Sequence, residues 1–166
     1  ADNLLEYFEG RVFFVDLAPV VAPGIVNSRI ARAFGIKGAP TGSILDNIVD
    51  HLRERQTLLI LDNFEQVIEA APSIGQLVAG APQLHVLVTS REALRIYGEQ
   101  DYPILPLALP DLTKRESSAV LSAYDAVTLF LQRGQAVNPN FIIDEETAPI
   151  VAEICVRLDG LPLAIE

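Results

Sequence analysis

Three short runs of branched and aromatic residues, at 11–16, 57–61 and 84–88, are separated by stretches whose apolar residues recur at helical spacing. This alternation constrains the fold more than any other feature. Strands joined through helical crossovers pair in parallel, so the pattern predicts an α/β domain with a mostly parallel sheet. After the first run, Pro19 and Pro23 punctuate a loop. Ile25, Val26, Ile30, Ala33 and Phe34 then share one helical face, and Gly35 stops the helix. Ser43 and Asp46 have the spacing of a capping box ahead of Ile44, Leu45, Ile48, Val49 and Leu52. A further helix is expected over about residues 65–79. An extended piece over 102–107, interrupted by Pro103 and Pro106, belongs at a sheet edge or beyond the sheet.

Near residue 109 the pattern changes. Pro110, Asp111 and the polar residues up to Ser118 read as a linker, and helical spacing then returns in Tyr124, Val127, Phe130 and Leu131. Ile150, Val151, Ile154, Cys155 and Leu158 form a second such face. Asp144 is placed to cap that helix, Gly160 to stop it and Pro162 to open another. Residues 1–109 are therefore expected to form an α/β core and residues 110–166 a helical subdomain.

Half of the 166 residues are hydrophobic, enough for a real core. The net charge is -10, with no basic run to break it, so direct binding to a nucleic-acid backbone is not expected. A single cysteine, Cys155, leaves no internal disulfide and favours a reducing compartment. No apolar segment approaches the roughly 20 residues that span a bilayer, and no signal-peptide pattern opens the chain. A cytoplasmic protein without membrane contacts is the expectation. The chain starts at Ala1 and ends at Glu166 within an apolar helical run, so both ends read as cut.

The chemistry concentrates beyond two strand ends. In open α/β sheets ligands bind outside the carboxyl ends of the strands, where Asp62 and Arg91 both lie. A carboxylate there can hold Mg2+ through water, and a guanidinium can meet a terminal phosphate with two parallel hydrogen bonds. Asp62 can equally cap a helix after a core strand, and Arg91 can equally be a surface arginine in a turn. Asp16 ends the first strand in the same way, with an N-cap or loop-ordering role favoured. His51 and His85 have no partners at metal-ligand spacing. No G-x-x-x-x-G-K-[ST] loop is present. Residues 35–42 hold glycines and Lys37, but no Ser or Thr follows the lysine and the stretch comes after a helix.

Together LLILDNFEQV (58–67), HVLVTSREALRIYGEQDYPILPLALPD (85–111), AVTLFLQRGQAV (126–137) and ICVRLDGLPLAIE (154–166) resemble the nucleotide-binding module of the STAND signalling NTPases. The likeness is closer still to the NB-ARC-type segment of bacterial AfsR- and LuxR-type transcriptional regulators, and RVFFVDLAPV (11–20) fits it too. The order and spacing of the blocks cover essentially the whole chain. The resemblance implies a partial P-loop NTPase-like sheet with flanking helices, followed by the start of a helical lid. It implies that Asp62 is the Walker B aspartate and metal ligand, that Arg91 holds the sensor 1 position, and that Gly160 and Pro162 form the GxP motif beside the adenine. Mg2+ and ATP or ADP would be the cofactors of a longer parent, an ATP hydrolase whose phosphate loop lies upstream of Ala1.

In such proteins ATP and ADP stabilise different arrangements of sheet and lid. Asn63 departs from the acid that many related ATPases carry after the aspartate. An amide can orient water but cannot take its proton, which suits slow hydrolysis. The expected function is an ATP/ADP-dependent regulatory switch, inactive as this chain alone, whose partners are the nucleotide and other domains of the parent. The alternative is a non-enzymatic interaction scaffold that has lost the nucleotide. The strand absent with the loop would leave a gap in the sheet, so self-association is also expected.

Overall fold

The computed structural model describes residues 2–36, 42–114 and 116–166. The chain forms two compact units, Ala1–Asp101 and Tyr102–Glu166. Of the lysine-bearing stretch 35–42 singled out above, residues 37–41, Lys37 among them, lie outside the described residues.

In the first unit the three apolar runs form β1 (Val12–Asp16), β2 (Thr57–Asp62) and β3 (Leu84–Val88). They make a parallel sheet in the order β1-β2-β3, with Phe13 beside Leu59, Leu59 beside Val86 and Asp16 beside Asp62. The crossover from β1 to β2 carries α2 (Val26–Ala33) and α3 (Ile44–Leu52), and that from β2 to β3 carries α4 (Ala71–Gly80). The short α1 (Asp2–Tyr7) precedes β1.

Strand residues alternate between faces, and the register carries each set across all three strands. Phe13, Val15, Leu59, Leu61, Leu84, Val86 and Val88 point to one face and pack against Val26, Ile30, Ile48, Leu52, Ile74 and Leu77 of the crossover helices. Right-handed crossovers running in one direction along the sheet put their helices on one side, so α2, α3 and α4 share that face. The opposite face holds Val12, Phe14, Leu58, Ile60, His85 and Leu87. Near its amino end Phe8 and Leu58 are buried, and the Phe8 ring stands edge-on to His85 at 5.3 Å. Farther along, Phe14 is 60% and Leu87 53% exposed.

Local signals explain most element boundaries. Ser43 Oγ accepts from the Asp46 N–H at 3.1 Å while Asp46 reaches back to the Ser43 N–H, which completes the expected capping box. The helix expected over 65–79 is in fact two pieces, a 3-10 helix at Phe64–Ala70 and then α4, with Val67 kinked out of helical geometry. Pro72 explains the restart, since it lacks an N–H for a continuing ladder but fits the first turn of a new helix. Residues 102–107 join no strand ladder among the described residues, and Tyr102, Ile104 and Leu105 stand exposed.

The second unit contains α5 (Ser118–Leu121), α6 (Asp125–Val137), α7 (Ala148–Arg157) and α8 (Pro162–Ile165). Its core joins Ala126 and Val127 to Val151, Cys155 and Ile165. Asp144 caps a turn ahead of α7 rather than α7 itself. Its Oδ1 accepts from the Glu146 and Thr147 N–H groups, and Thr147 takes the N-cap position. Those bonds, those to Thr147 first, hold the Asp144 carboxyl below its usual pKa.

Candidate functional site

The central strand delivers Asp62 to the carboxyl edge of the sheet. Register sets it beside Asp16, and alternation turns both carboxylates to the face without crossover helices. Each is held by its surroundings. Asp16 Oδ1 accepts from the Ala18 N–H at 2.9 Å, which orders the turn after β1. Asp62 Oδ1 accepts from the Thr89 hydroxyl at 2.5 Å.

Thr89 is the hub of this edge. Its hydroxyl oxygen also accepts from the Asn63 N–H at 3.1 Å, its carbonyl from the Phe64 N–H at 3.0 Å, and its own N–H donates to the Leu61 carbonyl at 3.0 Å. One residue thus fixes both the carboxylate and the turn that follows it. The turn needs this support because Asn63 sits at φ 60 and ψ 46, a left-handed conformation that asparagine tolerates better than most side chains. The sequence singles out no role for Thr89. The available signal was a hydroxyl one residue beyond β3, opposite the acid that ends β2.

Arg91 follows Thr89 by two residues and its side chain is 89% exposed. Its Nε lies 3.5 Å from Oε1 of Glu65, which is only 15% exposed. An ion pair with so exposed a partner adds little stability, which leaves the guanidinium able to exchange Glu65 for another anion. Glu65 therefore lies beside Arg91 near the strand ends. Asp62, Asn63 and Arg91 thus occupy one edge, along with Asp16, Glu65 and Thr89.

Among the described residues no cluster of three or more His, Cys, Asp or Glu side chains could hold a metal. The donor set fits a divalent cation only in a restricted way. Asp62 offers one hard oxygen ligand on its free side, and an ion such as Mg2+ would take the remainder from water and phosphate, as it commonly does.

Gly160 and Pro162 lie in the helical unit. Asp159, at φ 53, ends α7, and the Gly160 N–H donates to the Cys155 carbonyl at 3.1 Å in a Schellman arrangement. A Cβ on Gly160 would come within 2.5 Å of the Leu107 carbonyl oxygen, and the Leu107 N–H donates to the Gly160 carbonyl at 2.9 Å. Gly160 therefore allows the 107 and 160 backbones to pair closely. Pro162 opens α8 in the first turn, where its missing N–H leaves no bond broken.

The remaining candidates are structural. Cys155 is fully buried against the Ala126 carbonyl, and burial pushes its thiol pKa up. His51 faces Phe34 and Arg55 on α3, and His85 lies against Phe8. No helix among the described residues is long and apolar enough to cross a membrane.

No family model matches the chain. It is 38% identical over 154 residues to "Putative HTH-type transcriptional regulator Rv0890c" of Mycobacterium tuberculosis, a match covering 92% of this chain and 16% of that protein. The same figures hold for "Putative HTH-type transcriptional regulator Mb0914c" of Mycobacterium bovis. It is 36% identical over 162 residues, 97% of its length, to "Uncharacterized protein Rv0894" of M. tuberculosis and spans 38% of it. The chain is thus similar along nearly its whole length to segments of longer proteins, some of them named as transcriptional regulators.

Proposed function

We propose that this chain is the core of an ATP/ADP-dependent switch of the STAND type within a transcription regulator. One observation carries the reading. The central strand ends in a carboxylate fixed by the next strand's threonine, with an exposed arginine two residues beyond. Such an edge suits phosphoryl recognition, since one side offers a metal ligand and the other a guanidinium. The names of the longer relatives support a regulatory setting.

In this reading Asp62 holds Mg2+ directly or through water. The bound ion would neutralise charge on the phosphates. Thr89 keeps the Asp62 carboxylate in one rotamer, and Arg91 leaves Glu65 for the terminal phosphate. Asn63 orients water without accepting its proton, so turnover is slow. Gly160 and Pro162 belong to the lid subdomain as its GxP motif, whose proline packs near the adenine. Residues 1–109 act as nucleotide core and 110–166 as the start of the lid. The phosphate grip comes from a G-x-x-x-x-G-K-[ST] loop, which these 166 residues do not contain. That sequence fact also supports a second reading, a scaffold that keeps the fold without the nucleotide.

Calorimetric titration with Mg-ATP tests both readings. The 166-residue chain is expected to bind weakly or not at all. A version that includes a native upstream phosphate loop is expected to bind, with affinity lowered at least tenfold by Asp62→Ala. Absence of binding in the version with the loop would sink the switch and favour the scaffold. Micromolar binding by the 166 residues alone would overturn the assignment of the phosphate grip to another segment.

A further inference from the structure

The outer edge of β1 carries a feature that the nucleotide reading does not use. The Leu58 N–H donates to the Arg11 carbonyl at 3.0 Å and the Leu17 N–H to the Asp62 carbonyl at 2.9 Å. Backbone groups of a strand alternate in direction, so residues 11, 13, 15 and 17 face β2. Val12, Phe14 and Asp16 therefore turn their N–H and C=O groups outward, and among the described residues no strand pairs with them.

Along this edge runs a groove of about 570 Å3 between β1 and α2, lined by Phe14, Asp16, Ile25, Ser28, Arg29 and Arg32 among others. Arg29 and Arg32 are exposed, and neither forms a salt bridge among the described residues. Phe14 and Ile25 offer apolar surface, at 60% and 47% exposure. The two arginines stand three residues apart on a helix, which puts their Cβ atoms about 5–6 Å apart. Alternate side chains of an extended strand are about 6.6 Å apart, close to the same spacing. Two carboxylates at alternate positions of an added strand can therefore meet the two guanidinium groups together.

We propose that the outer edge of β1 is a docking groove for an extended acidic segment of another protein, which joins the sheet as an added strand and sets two carboxylates on Arg29 and Arg32. Backbone bonds to Val12, Phe14 and Asp16 supply affinity, and the arginines with Phe14 and Ile25 supply selectivity. Charge favours this occupant, because among the described residues the groove lining carries two arginines without salt-bridge partners against one carboxylate, Asp16. A nucleic-acid backbone could meet the arginines but offers no strand to the open ladder.

Amide chemical shifts of the 15N-labelled chain, titrated with a blocked hexapeptide alternating Glu and Val, test the proposal. Saturable shifts and slowed exchange are expected at Val12, Phe14 and Asp16. The Arg29→Glu/Arg32→Glu variant, with its fold checked by circular dichroism, should bind about tenfold more weakly, and a Lys-Val peptide should not bind. The proposal fails if millimolar peptide gives no saturable shift at these amides, or if the double variant binds equally well. It also fails if a short DNA duplex perturbs the same residues more strongly than the peptide does. Were the arginines only a guard against edge pairing, the variant would self-associate and the parent chain would leave the peptide unbound.

Discussion

The two faces of the sheet in the first unit are made by neighbouring residues of the same strands, yet they have different fates. Leu59 and Leu61 are fully buried beneath the crossover helices, while Phe14 and Leu87 on the other face stay more than half exposed. Both faces are apolar, and such runs ordinarily belong to parallel sheets covered on both sides. The difference lies in topology, not composition. With β1, β2 and β3 in sequential order, every right-handed crossover lands on the same side. Among the described residues of the first unit, Phe8 packs on the second face near its amino end, while Phe14 and Leu87 farther along stay exposed on the side to which Asp16 and Asp62 also project.

The contrast is tested most severely by one substitution on each face. Leu59→Ala should cost about 2–5 kcal/mol in denaturant unfolding, because it removes a fully buried side chain from a packed layer. Leu87→Ser should change stability by no more than about 0.5 kcal/mol. It should also reduce any concentration-dependent mass seen by light scattering, since the open apolar row is the expected site of self-association. Equal costs on both faces would mean that the second face is covered in solution.

A smaller effect is expected at Phe8. If the segment through Phe8 unfolds together with the sheet, Phe8→Ala should cost about 2 kcal/mol, below the usual range for a buried phenylalanine because a terminal segment opens more readily. A cost near zero would show that the second face is open along its whole length. Thr89→Val comes next. Loss of the bond to Asp62 and of the acceptor for the Asn63 N–H should cost about 1–2 kcal/mol, and Thr89→Ser should restore most of it.

Much of this contrast was legible in the residues. The three strands follow from their branched and aromatic runs, the capping box from Ser43 and Asp46, and the buried thiol from the position of Cys155 on an apolar helix face. Burial of one sheet face alone was not legible, because apolar runs mark strands as covered without saying on which side. The break at Val67 was hidden by continuous helical periodicity, although Pro72 signalled it. Pro103 and Pro106 set residues 102–107 at a sheet edge or beyond the sheet, and they join no strand ladder among the described residues, but which of the two holds depends on an available partner strand, which composition does not report. At the site, Asp62 and Arg91 could be singled out from strand ends alone. The bonds from Thr89 and Glu65 depend on register and on a turn of the backbone at Asn63, which a single sequence does not display.

The smallest expected difference is electrical and belongs to the helix-covered layer. His51 sits on α3 with its ring 6.3 Å from that of Phe34 and its Nε2 3.1 Å from Arg55. Partial burial, and then the Arg55 guanidinium, lower its pKa below the ordinary 6.5. The folded state therefore favours the neutral ring, which can accept from Arg55, while the unfolded chain takes up a proton more readily. Its contribution to stability is present above pH 6.5 and is lost as pH falls from there through the lower folded pKa. Comparing the chain with His51→Gln by denaturant unfolding across that window isolates this contribution from the other titrating groups. The parent should lose slightly more stability than the variant as pH falls. A difference of the opposite sign would mean that the layer over the sheet welcomes the charged ring, and that His51 faces water as freely as the open side of the sheet does.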